Sequence, residues 1–345
     1  MRTRLKWVDQ NYGASEIRVY HGTATLDTQN LPAPLAVLGP KVTEYYHENI
    51  DTAFNHHYIV AALVNGAEYF SPEVMAEPGQ NPIADLFALG KKGFWYDPSD
   101  LSAQFQDTAG TVAVTANGDP VRKVIDKSGN GHNLTNGTGW VYRTDGTHRW
   151  WELNQSYMTA PGSTASMAFA HQGGTGGGYT LCAGVRFGTV ANPNNLYVLV
   201  SNGGASSSRI GINLWYDDRS DQGRSDALFQ LVGNGSPGGQ AVSATTGSGS
   251  FTPNVDHRIT EVVDPDAATS ARHLFRLDAG TDIKANTATS SPSTSNASDD
   301  LHIGAASNNL VGKMTGRIYQ LVLVQGQLDA TQRGTLEAAV SAKIP

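Results

Sequence analysis

Short runs of alternating apolar and polar residues, separated by turn-forming residues, recur along the chain. Because successive side chains of a strand point to opposite faces, each such run predicts a strand with one buried face. In the C-terminal part of the chain the runs are His148–Leu153, Tyr179–Phe187, Leu196–Val200, Arg209–Tyr216, Ala227–Val232, His257–Val263, Arg272–Leu277, Leu301–Ala305 and Gly316–Val324. Their number and the turns between them predict an all-β protein made of sandwich domains.

Two stretches carry helix signals instead. Before the long series of strands, Asn81 can cap a helix, Pro82 fits its first turn and Gly90 can end it. Near the C-terminus, Asp329 and Gln332 have the spacing of a capping box. We therefore predict a short helix in a packed linker and a short helix at the end of the chain.

The N-terminal region begins with an alternating pattern typical of a strand, and near its end it contains a longer sequence pattern that is similar to one in a known domain family. From Arg2 to Trp7, basic residues alternate with less polar ones, which predicts a half-buried strand. Residues 58–71 fit the pattern Y-x-V-x-A-x-x-x-G-x-x-x-x-S and resemble the penultimate strand of fibronectin type III domains. The matching positions are Tyr58, Val60, Ala62, Gly66 and Ser71. The resemblance covers residues 3–75 and implies a small β-sandwich.

The first strand of that family has no counterpart here, because the segment Leu5–Val8 matches the second one. An open strand edge presents unpaired backbone amides and carbonyls. Either a neighbouring chain supplies the strand and covers the apolar side chains, or the alternating bases protect the edge. The residues of this candidate assembly edge are Leu5, Lys6, Trp7 and Val8.

Two turn motifs open the large C-terminal region. The first, Trp95–Asp100, reads Trp-Tyr-Asp-Pro-Ser-Asp, and its proline pushes Asp97 towards an extended conformation. The second, Asp126–His132, reads Asp-Lys-Ser-Gly-Asn-Gly-His; its glycines permit positive φ, and its Asp and Ser side chains can cap turn amides. We predict that both motifs are structural turns rather than ligand sites. The turn residues are Asp97, Asp126, Ser128, Gly129 and Gly131.

The order and spacing of these two motifs resemble the first strands of phage-encoded concanavalin A-like (laminin G-like) jelly rolls. The end of the chain is also similar to that family, with Leu301-x-Ile-Gly-Ala, Gly316-x-Ile and Leu328 before a terminal helix. This resemblance spans residues 94–345 and implies a jelly-roll sandwich. The expected domains are a truncated fibronectin type III-like domain at 1–75, a linker with a short helix at 76–92 and a concanavalin A-like jelly roll at 93–345.

Composition and charge argue against several classes of function, among them nucleic-acid binding. Among the 345 residues the net charge is −7, and no stripe of Lys and Arg is present that could displace counterions from nucleic acid. The single cysteine, Cys182, excludes an internal disulfide and lies in an apolar run, which predicts a buried, inert thiol. The N-terminus lacks an apolar signal segment, and no long apolar run follows, so we expect neither export nor membrane insertion.

Candidate catalytic carboxylates are few. Glucanases of the concanavalin-like class use an E-x-D-x-x-E pattern on one strand, and the nearest match is Glu261, Asp264 and Asp266. Glu261 and Asp264 are an odd number of residues apart and would face opposite sides, so we interpret the stretch as a strand end with a solvated acidic turn. We therefore expect that the protein is not an enzyme.

A glycine-rich stretch, Gly173–Gly178, could suggest a phosphate site. It precedes a strand-like run rather than a helix, so it is interpreted as a loop and not as a phosphate site.

Calcium is the metal that the jelly-roll resemblance implies, because laminin G-like domains bind it through loop carboxylates. Asp217, Asp218 and Asp221 cluster after a predicted strand. Spacing alone does not bring carboxylates of different loops together, so turn and solubility roles are favoured and no cofactor is expected. Three histidines lack a matching ligand pattern and are interpreted as sheet-edge residues: His47, His56 and His57.

Aromatic side chains are the candidates for stacking on sugars. Trp150 and Trp151 are adjacent, so on a strand one must point inwards and the other outwards. Core packing explains most of the tryptophans. The candidate glycan contacts are Trp151, Trp215 and Tyr216.

The two resemblances together imply a bacteriophage virion protein, made in the host cytoplasm and located in the particle. Its expected role is structural: a tail, baseplate or head-surface component that assembles non-covalently with itself and with other virion proteins. The alternative is a receptor-binding module, in which the jelly roll binds host-surface polysaccharide.

Overall fold

A computed structural model of the chain describes residues 3–7, 14–47, 55–76, 82–87, 90–174, 177–188, 195–203, 209–219, 224–237, 239–284, 286–307 and 311–345. Within these ranges, 22 strands and two α-helices are formed, which confirms the all-β fold class. The chain divides into two compact units, Met1–Asn81 and Pro82–Pro345. Neither described helix is long and apolar enough to cross a membrane.

The first unit is a small sandwich of two antiparallel sheets. Its strands are β1 (Thr3–Lys6), β2 (Glu16–Gly22), β3 (Ala36–Leu38), β4 (Glu44–His47), β5 (His56–Val64), β6 (Ala67–Phe70) and β7 (Val74–Ala76). One sheet pairs β1 with β4, and the other has the order β3-β2-β5-β6, with β7 also pairing with β5. Leu5, Val19 and Tyr58 form the buried core between the sheets.

The candidate assembly edge at β1 has an open side, as predicted, but its apolar side chains are less exposed than the sequence suggested. Among the described strands, β1 pairs with β4 alone, so its other edge has no strand beside it. Leu5, however, is only 9% exposed, and Trp7 is partly buried against the same core cluster, so their own unit already covers much of these apolar side chains. Lys6 is exposed, and Val8 lies outside the described residues.

The second unit begins with α1 (Pro82–Phe87) and ends with α2 (Ala330–Ser341). Between the helices are β8 (Gly93–Tyr96), β9 (Gln104–Phe105), β10 (Pro120–Val124), β11 (Leu134–Thr144), β12 (Arg149–Ser156), β13 (Met158–Ala160), β14 (Tyr179–Phe187), β15 (Leu196–Ser201), β16 (Ile210–Arg219), β17 (Arg224–Asn234), β18 (Gln240–Thr245), β19 (His257–Val263), β20 (His273–Leu277), β21 (Leu301–Ile303) and β22 (Met314–Gln325). Twelve of these strands form one hydrogen-bonded path, β18-β17-β16-β15-β21-β13-β11-β12-β22-β14-β19-β20. Off this path, β8 pairs with β22, and β10 pairs with β11 and β9. Leu214 of β16 and Leu181 of β14 share one core, so the path folds back into a jelly-roll-like sandwich.

Strand β22 is the centre of this unit. It pairs with β12 through its first half, with β8 through its second half and with β14 along most of its length. Ile318 and Leu321 point into the main core, whereas Val322 and Val324 point outwards into a second cluster with Leu336 of α2. The two helices therefore cover the outer face of the sheet beside the second half of β22, where the side chains on both faces of the strand are apolar.

Both predicted helices are present. In α2, the Asp329 side chain accepts from the Gln332 amide and the Gln332 side chain accepts from the Asp329 amide, which is the predicted capping box. Ile83, Leu86 and Phe87 of α1 are buried in the cluster that contains α2. The linker helix is thus part of the second unit.

Gly93 provides a test of how closely β8 approaches β22. Its φ is +136°, and an added Cβ would lie 1.9 Å from the Leu323 carbonyl oxygen. Gly129 also has positive φ, +82°, but open space around it. We expect Gly93→Ala to lower the free energy of unfolding by about 3 kcal/mol or more, and Gly129→Ala by about 1 kcal/mol. Urea denaturation followed by tryptophan fluorescence measures both; equal losses would contradict the close approach.

Candidate functional site

The turn at Asp126 is held by hydrogen bonds to one buried carboxylate. Asp126 Oδ1 accepts from the backbone N–H of Trp95 at 3.0 Å and of Ser128 at 2.9 Å. Its Oδ2 accepts from Ser128 Oγ at 2.8 Å and from the His132 N–H at 3.0 Å. Gly129 and Gly131 both have φ of +82°. Four donors occupy this carboxylate, so its observed contacts are those of a structural turn.

The Asp97 turn is likewise filled by protein groups. Asp97 Oδ1 accepts from the Ser99 N–H at 2.9 Å, and Oδ2 lies 3.3 Å from Lys343 Nζ and 3.7 Å from Lys127 Nζ. The Lys127 ammonium also lies 4.5 Å from the centre of the Trp95 ring. The turn therefore ties the beginning of the second unit to the residues that follow its last helix.

The two described residues of the acidic cluster, Asp217 and Asp218, have different surroundings. Asp217 and Asp218 are neighbours on β16, and Asp217 is buried, accepting from Trp215 Nε1 at 3.1 Å and from Arg219 Nε at 2.7 Å. Asp218 is partly exposed, and burial, then the nearby Asp226 and Asp217, raise its pKa. Asp221 lies outside the described residues. Over the described ranges, no three His, Cys, Asp or Glu side chains are placed to hold a metal ion.

Glu261 corrects the interpretation of a solvated acidic turn. The strand does end at Val263, but Glu261 is fully buried inside it. Its Oε1 lies 3.0 Å from His273 Nε2, and its Oε2 accepts from Tyr179 Oη at 3.1 Å. Burial, reinforced by the Glu261 carboxylate, raises the pKa of Tyr179 well above its usual value. The carboxylate is a core group with two buried partners, and it has no access to solvent.

The histidines of the first unit are not all at a sheet edge. His56 and His57 are on β5, which lies between β2 and β6, and both are buried. His56 Nδ1 lies 2.7 Å from Nε2 of His21, a residue that sequence spacing did not single out, and His47 Nδ1 lies 2.9 Å from Tyr58 Oη. Burial, with His47 and His56 nearby, lowers the pKa of His21.

The three predicted aromatic contacts are placed where a surface ligand does not reach them. Trp151 and Tyr216 point into the main core, and Trp215 is buried against Phe229 with ring centres 5.5 Å apart. The alternation argument for the tryptophan pair was right, but Trp151 is the inward member. Trp150 is the outward one and is partly exposed.

Trp150 lies beside a groove on the outer face of β11, β12 and the first half of β22. The groove has a volume of about 410 Å³. Its lining residues are Gly139, Val141, Arg143, Glu152, Leu153, Asn154 and Thr315. Across it, Arg143 Nε donates to Glu152 Oε2 at 2.6 Å, and both side chains are about two-fifths exposed (39% and 42%). The groove is thus lined by apolar side chains, by the Arg143–Glu152 ion pair, and by the side-chain amide of Asn154 and the hydroxyl of Thr315.

A chain of contacts fixes the residues next to the groove. The Arg317 guanidinium lies 4.7 Å from the centre of the Trp150 ring, and its Nη1 donates to Tyr319 Oη at 3.3 Å. Tyr319 Oη donates to Asp256 Oδ1 at 2.6 Å, and burial together with this carboxylate raises the pKa of Tyr319 to about 12. Arg317 is the cross-strand partner of Glu152. The edge of the groove is therefore ordered by contacts within the sheet.

No protein-family model and no curated protein matches the sequence. Among solved structures, the chain is similar to a Trypanosoma rangeli sialidase in complex with 2,3-difluoro-KDN, at 12% identity and a TM-score of 0.44, covering 84% of this chain and 44% of that one. It is also similar to the CBM40 domain of the Ruminococcus gnavus IT-sialidase bound to α2,3-sialyllactose, at 10% identity and a TM-score of 0.36, covering 60% and 96%.

A third similar structure is domain 4 of AbnA, a GH43 extracellular arabinanase from Geobacillus stearothermophilus, in complex with arabinotriose. The identity is 13% and the TM-score 0.37, with 73% of this chain and 98% of that domain covered. The chain spans less than half the length of the T. rangeli sialidase.

The buried Glu261 gives a stability prediction. Removing one partner of a buried hydrogen bond leaves the other unsatisfied and typically costs about 1–3 kcal/mol, and Glu261 has two such buried partners, His273 and Tyr179. We expect Glu261→Ala to destabilise the protein by that amount and Glu261→Gln, which keeps the shape, by less. The control is Lys284→Ala at an exposed position of the same unit, with an expected change within about 0.5 kcal/mol. Thermal unfolding that is the same for Glu261→Ala and the control would disprove a structural role.

Proposed function

We propose that the second unit is a non-catalytic carbohydrate-binding domain and that its binding site is the groove between β11, β12 and β22. The observation that carries the proposal is the lining itself: the Arg143–Glu152 ion pair beside Asn154 and Thr315. Sugar hydroxyls both donate and accept hydrogen bonds, and this set offers both kinds of partner within one groove.

The charge of the groove favours a neutral sugar. Arg143 and Glu152 compensate each other, and the other lining residues are uncharged. An anionic sugar would meet the Glu152 carboxylate, whereas a neutral one can bridge the carboxylate and the guanidinium through adjacent hydroxyls. The volume of about 410 Å³ is within the roughly 300–1,000 Å³ typical of small-ligand sites.

The absence of catalysis is part of the proposal. Glu261, the residue nearest to a glucanase pattern, is fully buried and engaged with His273 and Tyr179. A general acid or nucleophile has to reach the glycosidic bond of its substrate. Among the described residues that line the groove, Glu152 is the one carboxylate, and it is already ion-paired with Arg143. We expect no release of reducing sugar from any polysaccharide that the protein binds.

Glycan-array screening of the full chain, followed by calorimetry on the best ligand, tests this proposal. We expect a neutral glycan to bind, and Arg143→Ala and Asn154→Ala each to weaken the affinity about tenfold or more, because each removes hydrogen bonds to the ligand. Arg18→Ala is the matched control, since Arg18 is a similarly exposed arginine ion-paired with Glu68 in the first unit. No bound glycan on the array, or an equal loss in the control variant, would contradict the site.

A second candidate function is the one that the sequence resemblance implies, a structural component of a bacteriophage particle. The observation that favours it is in the first unit, where one edge of β1 has no described strand beside it. Such an edge offers main-chain hydrogen bonds to another virion protein or to a second copy. Quantitative mass spectrometry of purified particles tests this candidate: the chain should be present at a fixed copy number per particle.

A further inference from the structure

Asparagine followed by glycine is a chemically reactive dipeptide, because the backbone nitrogen of the glycine has no side chain beside it and can reach the asparagine side-chain amide. The described residues include five such Asn-Gly pairs, which begin at Asn65, Asn117, Asn130, Asn202 and Asn234. A further pair begins at Asn136, whose side chain lies outside the described residues. We propose that the fold directs deamidation, the loss of the asparagine amide nitrogen as ammonia, to Asn65.

Two of the other pairs are engaged at both reacting groups. Asn117 Oδ1 accepts from the Thr144 N–H at 3.1 Å, and Asn202 Oδ1 accepts from the Ile212 N–H at 2.8 Å. In each of these pairs the glycine N–H also donates to a backbone carbonyl, at 2.8 and 3.3 Å respectively. Asn202 is in addition fully buried. The side chain and the attacking nitrogen therefore have to leave their partners before they can meet.

The remaining two pairs are held through the nitrogen that would leave. Asn130 Nδ2 donates to the Lys91 carbonyl at 3.2 Å and to Ser128 Oγ at 3.1 Å. Asn234 Nδ2 donates to the Ser291 carbonyl at 3.0 Å. Rotation of either side chain towards the next backbone nitrogen breaks these hydrogen bonds, so the fold slows the reaction at both positions.

Asn65 and Gly66 form the two-residue turn between β5 and β6. Val64 pairs with Ala67, which closes the turn, and φ is +50° at Asn65 and +82° at Gly66, as a type I′ turn requires. Both residues are exposed, and a Cβ added to Gly66 would meet nothing within 4 Å. Within the described part of the chain, neither the Asn65 side chain nor the Gly66 N–H has a hydrogen-bond partner. Both reacting groups are thus open to water and held by no other group.

The reaction has two steps and consumes one water molecule. The Gly66 nitrogen gives its proton to hydroxide and bonds to Asn65 Cγ. The Cγ–Nδ2 bond breaks, and the leaving nitrogen takes up a proton from water and departs as ammonia. Water then opens the resulting five-membered succinimide on one side or the other, which leaves aspartate or isoaspartate at position 65. A neutral side chain is thereby replaced by a carboxylate.

The isoaspartate product lengthens the backbone of the turn. Its main chain runs through the former side-chain carbon, so one atom is added to a loop whose length fixes the register of the hairpin. Among the described strands β6 pairs with β5 alone. Its Glu68 accepts from Arg18 Nη1 at 2.7 Å and from Tyr20 Oη at 2.6 Å. Deamidation therefore weakens the attachment of an edge strand and its ion pair to the rest of the first unit.

Incubation of the full chain at mildly alkaline pH, followed by peptide mass spectrometry, measures deamidation at each pair. We expect Asn65 to react about tenfold or more faster than the other four asparagines, because those must first break hydrogen bonds. The control is the same chain unfolded in guanidinium chloride, in which the five rates should become similar. A rate at Asn65 no greater than that at the exposed Asn130, or a preference for Asn65 that persists in the unfolded chain, would overturn the proposal.

Asn65→Gly gives a second readout. This variant keeps a type I′ turn, which Gly-Gly suits, and lacks the amide. Isoaspartate methyltransferase with labelled S-adenosylmethionine marks isoaspartate in the aged protein, and we expect the labelling to fall in Asn65→Gly and not in the matched Asn130→Gly. We also expect the β6 amides of the isolated isoaspartate form to exchange their hydrogens faster than those of the fresh protein. Equal labelling of the two variants, or unchanged exchange in β6, would contradict the assigned site or its effect on the hairpin, respectively.

Discussion

The four hydrogen bonds accepted by Asp126 are the constraint on which the second unit depends. They tie the Trp95 amide of β8 to the turn that begins the next part of the sheet. Strand β8 in turn pairs with Leu321–Val324 of β22. Strand β22 also pairs with β12 and β14, so a carboxylate that does not line the groove helps to hold the strand beside which the groove is formed.

The sequence of β22 explains why one part of the outer face is closed and the other open. In its second half, Val322 and Val324 are apolar and point outwards, and the two helices bury them. In its first half, Thr315 and Arg317 point outwards, next to the polar face of β12. A single strand thus combines a helix-covered surface with a solvent-facing one, and the proposed sugar site occupies the second.

Much of the fold could be predicted from the sequence because the information is local. Alternation along each run predicted the strands, and the Asp126–His132 motif predicted a turn in which three of the four donors to Asp126 are at most six residues from it. The site could be predicted less well. Alternation requires that Trp150 and Trp151 face opposite ways, but it does not state which one faces the core. Here Trp151 does, since its indole N–H donates to the buried Gln104 side chain at 2.7 Å.

Contacts between distant residues account for the remaining differences. Glu261 lies 82 residues from Tyr179, so its local pattern suggested a solvated turn and gave no sign of a buried pair. His21 and His56 are 35 residues apart and meet only because β2 and β5 are adjacent. The groove combines residues of three strands. None of these juxtapositions has a spacing rule that could be read along the chain.

Hydrogen–deuterium exchange of the full chain, with and without the best glycan from the array, tests the central claim most directly. The account predicts that added protection is concentrated in peptides covering residues 139–143, 152–154 and 315, where the groove is lined. Protection confined to other strands, such as β16 and β17, with the groove peptides unchanged, would contradict it.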